Sequence, residues 1–131
     1  MKVLALDYGA ARTGVAVSDP TGTIARPLGV VERAAGEAGL RRVAELAAGE
    51  GAERIVVGLP LTLRGERGAQ AAETDRFVEA LRAVVDVPVE TFDERFTTRL
   101  AQANGARVDN DAAAAAHLLT SYLTWSSRQG V

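Results

Sequence analysis

Hydrophobic residues run without a polar interruption through Val3–Leu6, and the run ends at Asp7. A continuous apolar stretch of this length predicts a central β-strand covered on both faces. Glycines bracket the turn that follows, and Val15–Asp19 predicts the returning strand of a hairpin. A third extended segment is predicted over Ile24–Val31, where Pro27 limits the hydrogen bonds available to the strand. The first quarter of the chain therefore predicts three strands.

Helical and strand-like spacing alternate in the rest of the chain. Apolar residues recur every three or four positions in the helical segments, and the strand-like runs are short and bounded by Gly or Pro. This alternation predicts an α/β fold with the element order βββαβαβαα. The later predicted elements are a helix ending at Gly49–Gly51, a strand at Ile55–Val57, a helix over Ala69–Val85, an edge strand over Val87–Phe92, a short helix near Thr97 and a last helix beginning at Asp109 or Asp111.

Composition limits the class of protein. The 131 residues predict a single domain spanning residues 1–131, and a hydrophobic share of 47% predicts a packed core. The absence of cysteine excludes disulfides and thiolate metal sites. No apolar stretch approaches the roughly 20 residues that a membrane-spanning helix needs. We therefore expect a cytoplasmic protein with no membrane association.

Carboxylates distant in the sequence are predicted to meet at one edge of the sheet. Asp7 ends the first strand, Asp93 and Glu94 follow the last strand, and Asp111 begins the final helix. The carboxyl ends of strands in α/β folds are where ligands bind. Carboxylate oxygens suit Mg²⁺ or Mn²⁺, and two such ions about 4 Å apart promote phosphodiester hydrolysis. With one histidine and no cysteine, carboxylates are nearly the only metal ligands the chain offers.

Each of these acids also has a purely structural interpretation. Asp7 could form a turn, although a charge at the end of a buried strand is costly without a partner. Asp93 and Glu94 point to opposite faces if the strand continues, so only one of them should face a metal. Asp111 could serve only as a helix N-cap, and Asp109 competes with it for either role.

Arginine supplies almost all of the positive charge, since Lys2 is the one lysine in a chain of net charge −2. The loop after the fourth strand contains Arg64 and Arg67, which could contact a phosphate backbone or merely lie on the surface. Its glycines match neither the P-loop nor the dinucleotide-binding fingerprint. Arg95 and Arg99 could pair with the acid that faces away from the metal.

Four segments together resemble the YqgF/RuvX-like family over essentially the whole chain. This family is associated with the maturation of pre-16S rRNA and with the resolution of Holliday junctions. Each segment alone is a weak signal, but all four in this order are specific. The segments are LALDYGAARTGVAVSD (Leu4–Asp19), VVGLPLTLRGERG (Val56–Gly68), DERFTT (Asp93–Thr98) and DAAAAAHLLTSYL (Asp111–Leu123).

The resemblance implies an RNase H-like fold, with a mixed five-stranded sheet of order 3-2-1-4-5 and helices on both faces. It also implies that Asp7, Glu94 and Asp111 are the catalytic, metal-binding acids, and its spacing selects Asp111 over Asp109. Family members usually carry a longer basic segment before the last acid, whereas this chain has only Arg107 there. The candidate nucleic-acid-binding residues are Arg12, Arg64, Arg67, Arg95, Arg99 and Arg107.

The resulting hypothesis is a nuclease that uses Mg²⁺ or Mn²⁺ to mature the 5′ end of pre-16S rRNA, with ribosomal assembly factors as possible partners. Three alternatives stay open. The first is a Holliday junction resolvase, which would be expected to act as a dimer on branched DNA. The second is a nucleic-acid-binding module without catalysis. The third, suggested by Asp7 and Gly9 ahead of a hairpin, is half of an actin-like ATPase or sugar kinase.

Overall fold

The computed structural model describes residues 1–60, 64–93 and 111–129. These residues form five strands and three helices. In chain order the elements are β1 (Val3–Asp7), β2 (Arg12–Ser18), β3 (Ala25–Glu32), α1 (Glu37–Glu50), β4 (Arg54–Leu59), α2 (Ala69–Arg82), β5 (Val89–Asp93) and α3 (Asp111–Arg128).

The five strands form one mixed sheet in the order β3-β2-β1-β4-β5, which confirms the predicted strand order. The first three strands are antiparallel neighbours, and β4 and β5 run parallel to β1. The prolines agree with this arrangement, because Pro27 lies in edge strand β3 and Pro88 immediately precedes edge strand β5. Strands β1, β4 and β5 therefore end at the same edge of the sheet, where β2 begins.

The apolar run in β1 is explained by burial on both faces of the sheet. Leu4 and Leu6 pack in a cluster with residues of α1 and α2. Val3 and Ala5 pack on the opposite face, in a cluster with residues of α3. All four side chains are at most 3% exposed. The helices therefore lie on both faces, as predicted.

The structure departs from the sequence-based boundaries in β2, which begins at Arg12 rather than at Val15. The hairpin is longer because Asp7 and Gly14 are direct partners in the β1–β2 ladder. The short helix predicted near Thr97 lies outside the described residues. Within residues 1–60, 64–93 and 111–129, no helix is both long and apolar enough to cross a membrane.

Candidate active site

Asp7 is the last residue of β1, at the edge where the parallel strands end. Side chains alternate between the faces of a strand, so Asp7 shares a face with Val3 and Ala5. That face is the one covered by α3. The partly buried Asp7 carboxylate therefore lies on the α3 side of the sheet, at its functional edge.

Helix α3 starts directly over the strand that pairs with Asp7. Gly14 is the cross-strand partner of Asp7. A Cβ atom at Gly14 would lie only 1.9 Å from the backbone carbonyl oxygen of Asp111, the first residue of α3. Only a glycine allows so close an approach. Asp7 and the first residue of α3, Asp111, are therefore both neighbours of Gly14 at this edge of the sheet.

Arg12, at the start of β2, forms an ion pair with Asp111. Its Nε atom lies 3.2 Å from Oδ2 of Asp111. The Arg12 side chain is 45% exposed and that of Asp111 is 21% exposed, so the ion pair is open to solvent and to ligands. The predicted phosphate-binding arginine therefore contacts one of the predicted metal-binding acids.

The turn between β1 and β2 holds Arg12 close to Asp7. The Gly9 N–H donates to Oγ1 of Thr13, which in turn donates to the Gly9 carbonyl, both at 3.3 Å. A Cβ atom at Gly9 would lie 2.5 Å from the carbonyl oxygen of Arg12, so the chain doubles back tightly. These contacts fix the position of Arg12 relative to the end of β1.

Tyr8 anchors the same turn from the other face of the sheet. Its ring stacks on Phe77 of α2 with a centroid distance of 4.5 Å and an interplanar angle of 19°. Its hydroxyl donates to Oε1 of Glu73 at 3.4 Å. Burial raises the pKa of Tyr8, and the neighbouring Glu73 raises it further. Gly14 was expected to bracket the turn but lies within β2, where a glycine can mark a close approach of another backbone. No role was predicted for Tyr8.

Asp93 is the last residue of β5. Phe92 packs in the cluster beneath α3, so the alternation of the strand directs Asp93 to the opposite face, away from that of Asp7. The remaining predicted site residues of this region lie outside the described residues. They are Glu94, Arg95, Arg99, Arg107 and the alternative acid Asp109.

The two loop arginines after β4 differ in their contacts. Arg64 is exposed and precedes Gly65, whose φ of 81° marks a turn. Arg67 donates to Oδ2 of Asp75 on α2 and is therefore already engaged by a carboxylate. Of the two, Arg64 is the one whose side chain has no ion pair among the described residues.

The donor set at this edge suits a hard cation. Asp7 and Asp111 supply carboxylate oxygens, the ligands that Mg²⁺ and Mn²⁺ prefer. The Arg12 guanidinium beside Asp111 indicates that the position favours positive charge. Among the described residues no group of three or more His, Cys, Asp and Glu side chains could hold a metal ion.

A cavity of about 420 Å³ lies at the opposite edge of the sheet, near the end of α3. Its walls include Arg54 and Tyr122, and no predicted site residue lines it. Arg54 there donates to the Tyr122 hydroxyl and pairs with Glu90, so its charge is already compensated. We therefore place the candidate active site at the acidic edge rather than at this cavity.

The sheet order and the flanking helices define an α/β protein of the RNase H-like class. The chain belongs to the RuvX family, described as Holliday junction resolvase, whose model matches residues 1–125. A relative from Chloroflexus aggregans, named "Putative pre-16S rRNA nuclease", is 50% identical over 100 residues, 76% of this chain and 70% of its own. A relative of the same name from Rubrobacter xylanophilus is 44% identical over 130 residues, 93% of this chain and 91% of its own.

Solved structures support the fold independently of sequence. The chain is similar to T. thermophilus RuvC in complex with a Holliday junction substrate, with a TM-score of 0.64 and 18% identity over 100% of this chain and 97% of that one. It is also similar to the fowlpox virus Holliday junction resolvase, with a TM-score of 0.54 and 12% identity over 95% of this chain and 99% of that one. At these identities the likeness establishes the fold.

Proposed function

We propose that this protein is a nuclease that hydrolyses phosphodiester bonds with the help of Mg²⁺ or Mn²⁺, and that its substrate is the 5′ end of pre-16S rRNA. The observation that supports the proposal is the close approach of Asp111, the first residue of α3, to Gly14, which is the cross-strand partner of Asp7. The family membership and the names of its relatives point to the same chemistry.

In this proposal Asp7 and Asp111 hold the divalent ions, and Glu94 completes the ligand set. Of the two neighbouring acids, Asp93 and Glu94, we choose Glu94. Phe92 packs toward α3, so the alternation of the strand turns Asp93 to the face away from Asp7. When bound, the ions would polarise the phosphate and assist attack by water.

Arg12, Arg64 and Arg95 are proposed to bind substrate phosphates. The ion pair of Arg12 with Asp111 at the start of β2 supports this role for Arg12. A guanidinium suits the task because its planar fork can donate two hydrogen bonds to one phosphate. Arg12 contacts Asp111 through Nε, so its two Nη groups can donate to a phosphate while that contact is kept.

Branched DNA is the second candidate substrate. It is favoured by the description of the RuvX family and by the similar fold of RuvC, whose structure holds a Holliday junction substrate. The acidic edge serves either substrate, because both present the same phosphodiester. A junction resolvase must cut two strands symmetrically, so this alternative requires a dimer. RNA cleavage carries no such requirement.

The test compares Asp7→Asn with the wild type on a labelled 5′ precursor end of 16S rRNA and on a four-way DNA junction, with and without Mn²⁺. Asp86→Asn is the matched control, since Asp86 is an aspartate outside the site, between α2 and β5. We expect Mn²⁺-dependent RNA cleavage that falls by on the order of a hundredfold or more in Asp7→Asn.

The outcomes separate the candidates. Paired nicks in the junction with intact RNA would select the resolvase. Binding of either substrate without turnover would select a nucleic-acid-binding module. Full cleavage by Asp7→Asn would remove Asp7 from the catalytic site.

A further inference from the structure

Arg33 has an unusual backbone conformation immediately after β3. Its φ is 49°, and it is the one non-glycine residue with a positive φ among residues 1–60, 64–93 and 111–129. A glycine would adopt this left-handed conformation without cost, whereas an arginine is penalised for its Cβ atom. Strained positions of this kind cluster at functional sites and justify a search for a role of the side chain.

The backbone of Arg33 is held from three directions. Its N–H donates to the carbonyl of Ala11 at 3.0 Å, and its own carbonyl accepts from the Gly36 N–H at 2.9 Å. Helix α1 packs against it so closely that a Cβ atom at Gly39 would lie 2.2 Å from the Arg33 carbonyl oxygen. The origin of the Arg33 side chain is therefore fixed relative to the β1–β2 turn and to α1.

This position lies at the same edge of the sheet as the acids. Arg12 pairs with Glu32 in the β2–β3 ladder, and Arg33 is the next residue along the chain. Strand β3 is two positions from β1 in the sheet, a separation of about 10 Å. Arg33 therefore lies at the same edge of the sheet as the candidate active site, beyond Arg12 from Asp7, and packs against α1 on the face opposite to α3.

The charge of Arg33 also distinguishes it from its neighbours on α1. Arg41 and Arg42 are exposed and each lies 3.6 Å from a glutamate of the same helix. Arg33 is exposed as well, but no ion pair compensates its charge within the part of the chain that the structure describes. An uncompensated guanidinium on a rigid backbone is suited to bind an anion.

We infer that Arg33 binds a backbone phosphate of the nucleic acid, so that the bound strand crosses the sheet edge from Asp7 past Arg12 to β3. This inference rests on the proposed function, because it takes the ligand to be the nucleic acid that the acidic edge cleaves. It adds a contact that the sequence motifs did not indicate, and it extends the binding surface beyond the acids on the β3 side.

The experiment measures the affinity of Arg33→Gln for a labelled RNA precursor end and a four-way junction by fluorescence anisotropy in EDTA, over a series of salt concentrations. Without metal there is no cleavage, so binding is measured alone. We expect affinity to fall on the order of tenfold, as for one lost charge-assisted hydrogen bond. The slope of log K against log salt should fall in magnitude by about 0.7 to 0.9, as for one lost phosphate contact.

Two further variants separate binding from structure. Arg33→Gly should lose the same affinity while its melting temperature stays equal to or above that of the wild type, because glycine relieves the strained φ. Arg42→Gln is the matched control, an exposed arginine already paired with Glu45, and should bind as the wild type does. A merely structural Arg33 would instead give a binding loss that follows the loss of stability.

Unchanged affinity and salt dependence in Arg33→Gln, with binding by the wild type intact, would overturn the inference and leave the proposed function standing. A wild-type protein that binds neither RNA nor junction would overturn both. An equal loss in Arg33→Gln and Arg42→Gln would overturn the inference as well, because it would show a general effect of charge.

Discussion

Each end of α3 carries a polar side chain that contacts an arginine, but the two ends differ in burial and in the number of partners. At its first residue, Asp111 meets Arg12 in a single ion pair that is open to solvent. Near its last turns, Tyr122 is 2% exposed. Its hydroxyl accepts a hydrogen bond from Nη1 of Arg54 at 2.9 Å and donates one to Glu90. Arg54 and Glu90 also form an ion pair at 3.7 Å, which closes the network.

The contrast indicates that the Tyr122 end anchors the helix, whereas the Asp111 end carries a candidate site residue. Burial raises the pKa of Tyr122, and its hydrogen bond to Glu90 acts in the same direction, so the hydroxyl remains a donor at neutral pH. The Tyr122 ring also meets Phe92 edge-on, with centroids 5.6 Å apart. This end fixes α3 on the sheet. The open pair at Asp111 can then exchange partners without loss of the fold.

The first prediction concerns Gly14→Ala, which should displace the start of α3. In Gly14→Ala the new Cβ would lie 1.9 Å from the Asp111 carbonyl oxygen, so α3 must shift by about 1 Å or more. We expect a loss of about 1–3 kcal/mol in the free energy of unfolding, as in other overpacked sites. We also expect cleavage to fall about a hundredfold, because misplacement of a catalytic group by about 1 Å can cost that much.

Gly29→Ala is the control for this change. Gly29 also lies in a strand, but nothing lies within 4 Å of a Cβ atom built there. Thermal unfolding and cleavage assays on both variants make the comparison. If Gly14→Ala matched Gly29→Ala in stability and activity, the close approach of α3 to β2 would not be what positions Asp111.

The second prediction removes the closed network. Tyr122→Phe deletes the hydroxyl that Arg54 and Glu90 share, and leaves their polar groups without that partner. We expect the free energy of unfolding to fall by about 1–3 kcal/mol, with a melting temperature several degrees lower by calorimetry. Cleavage below the unfolding transition should be nearly unchanged, because the hydroxyl lies at the other end of the helix.

The other tyrosine of the chain supplies the control. Tyr8→Phe removes a hydroxyl that is only partly buried and makes a long hydrogen bond, 3.4 Å, to Glu73. Its effect on stability should be clearly smaller than that of Tyr122→Phe. Equal effects would show that the network at the end of α3 stabilises the fold no more than a single surface contact.

The fold was predictable from the sequence because its signals are local. The apolar run of β1 required burial on both faces, and the motifs around Asp7 and Asp111 led to the strand order that the sheet has. The close contact at Gly14 was not predictable, because it joins β2 to a helix that begins far along the chain. The left-handed backbone of Arg33 was not predictable either, because an arginine side chain gives no indication of a positive φ.

The third prediction tests the open pair and has the smallest expected effect. Arg12→Gln removes the cation that would compete with a metal ion for the Asp111 carboxylate in the proposed site. We therefore expect Mn²⁺ to bind about two- to fivefold more tightly by calorimetry, the scale of one exposed ion pair. The same variant should bind nucleic acid more weakly if Arg12 is a phosphate ligand, as proposed above.

An exchangeable Arg12–Asp111 pair predicts that Arg12→Gln raises the affinity for Mn²⁺ and lowers the affinity for nucleic acid. A purely structural pair does not predict these opposite effects. Arg12→Lys should retain most of the wild-type metal affinity because it keeps the charge, and Arg42→Gln should leave it unchanged. If Arg12→Gln bound Mn²⁺ more weakly than the wild type, Arg12 would have to be orienting Asp111 toward the metal. The Arg12–Asp111 pair at the start of α3 would then be a fixed contact like the Tyr122 network, and the contrast between the two ends would disappear.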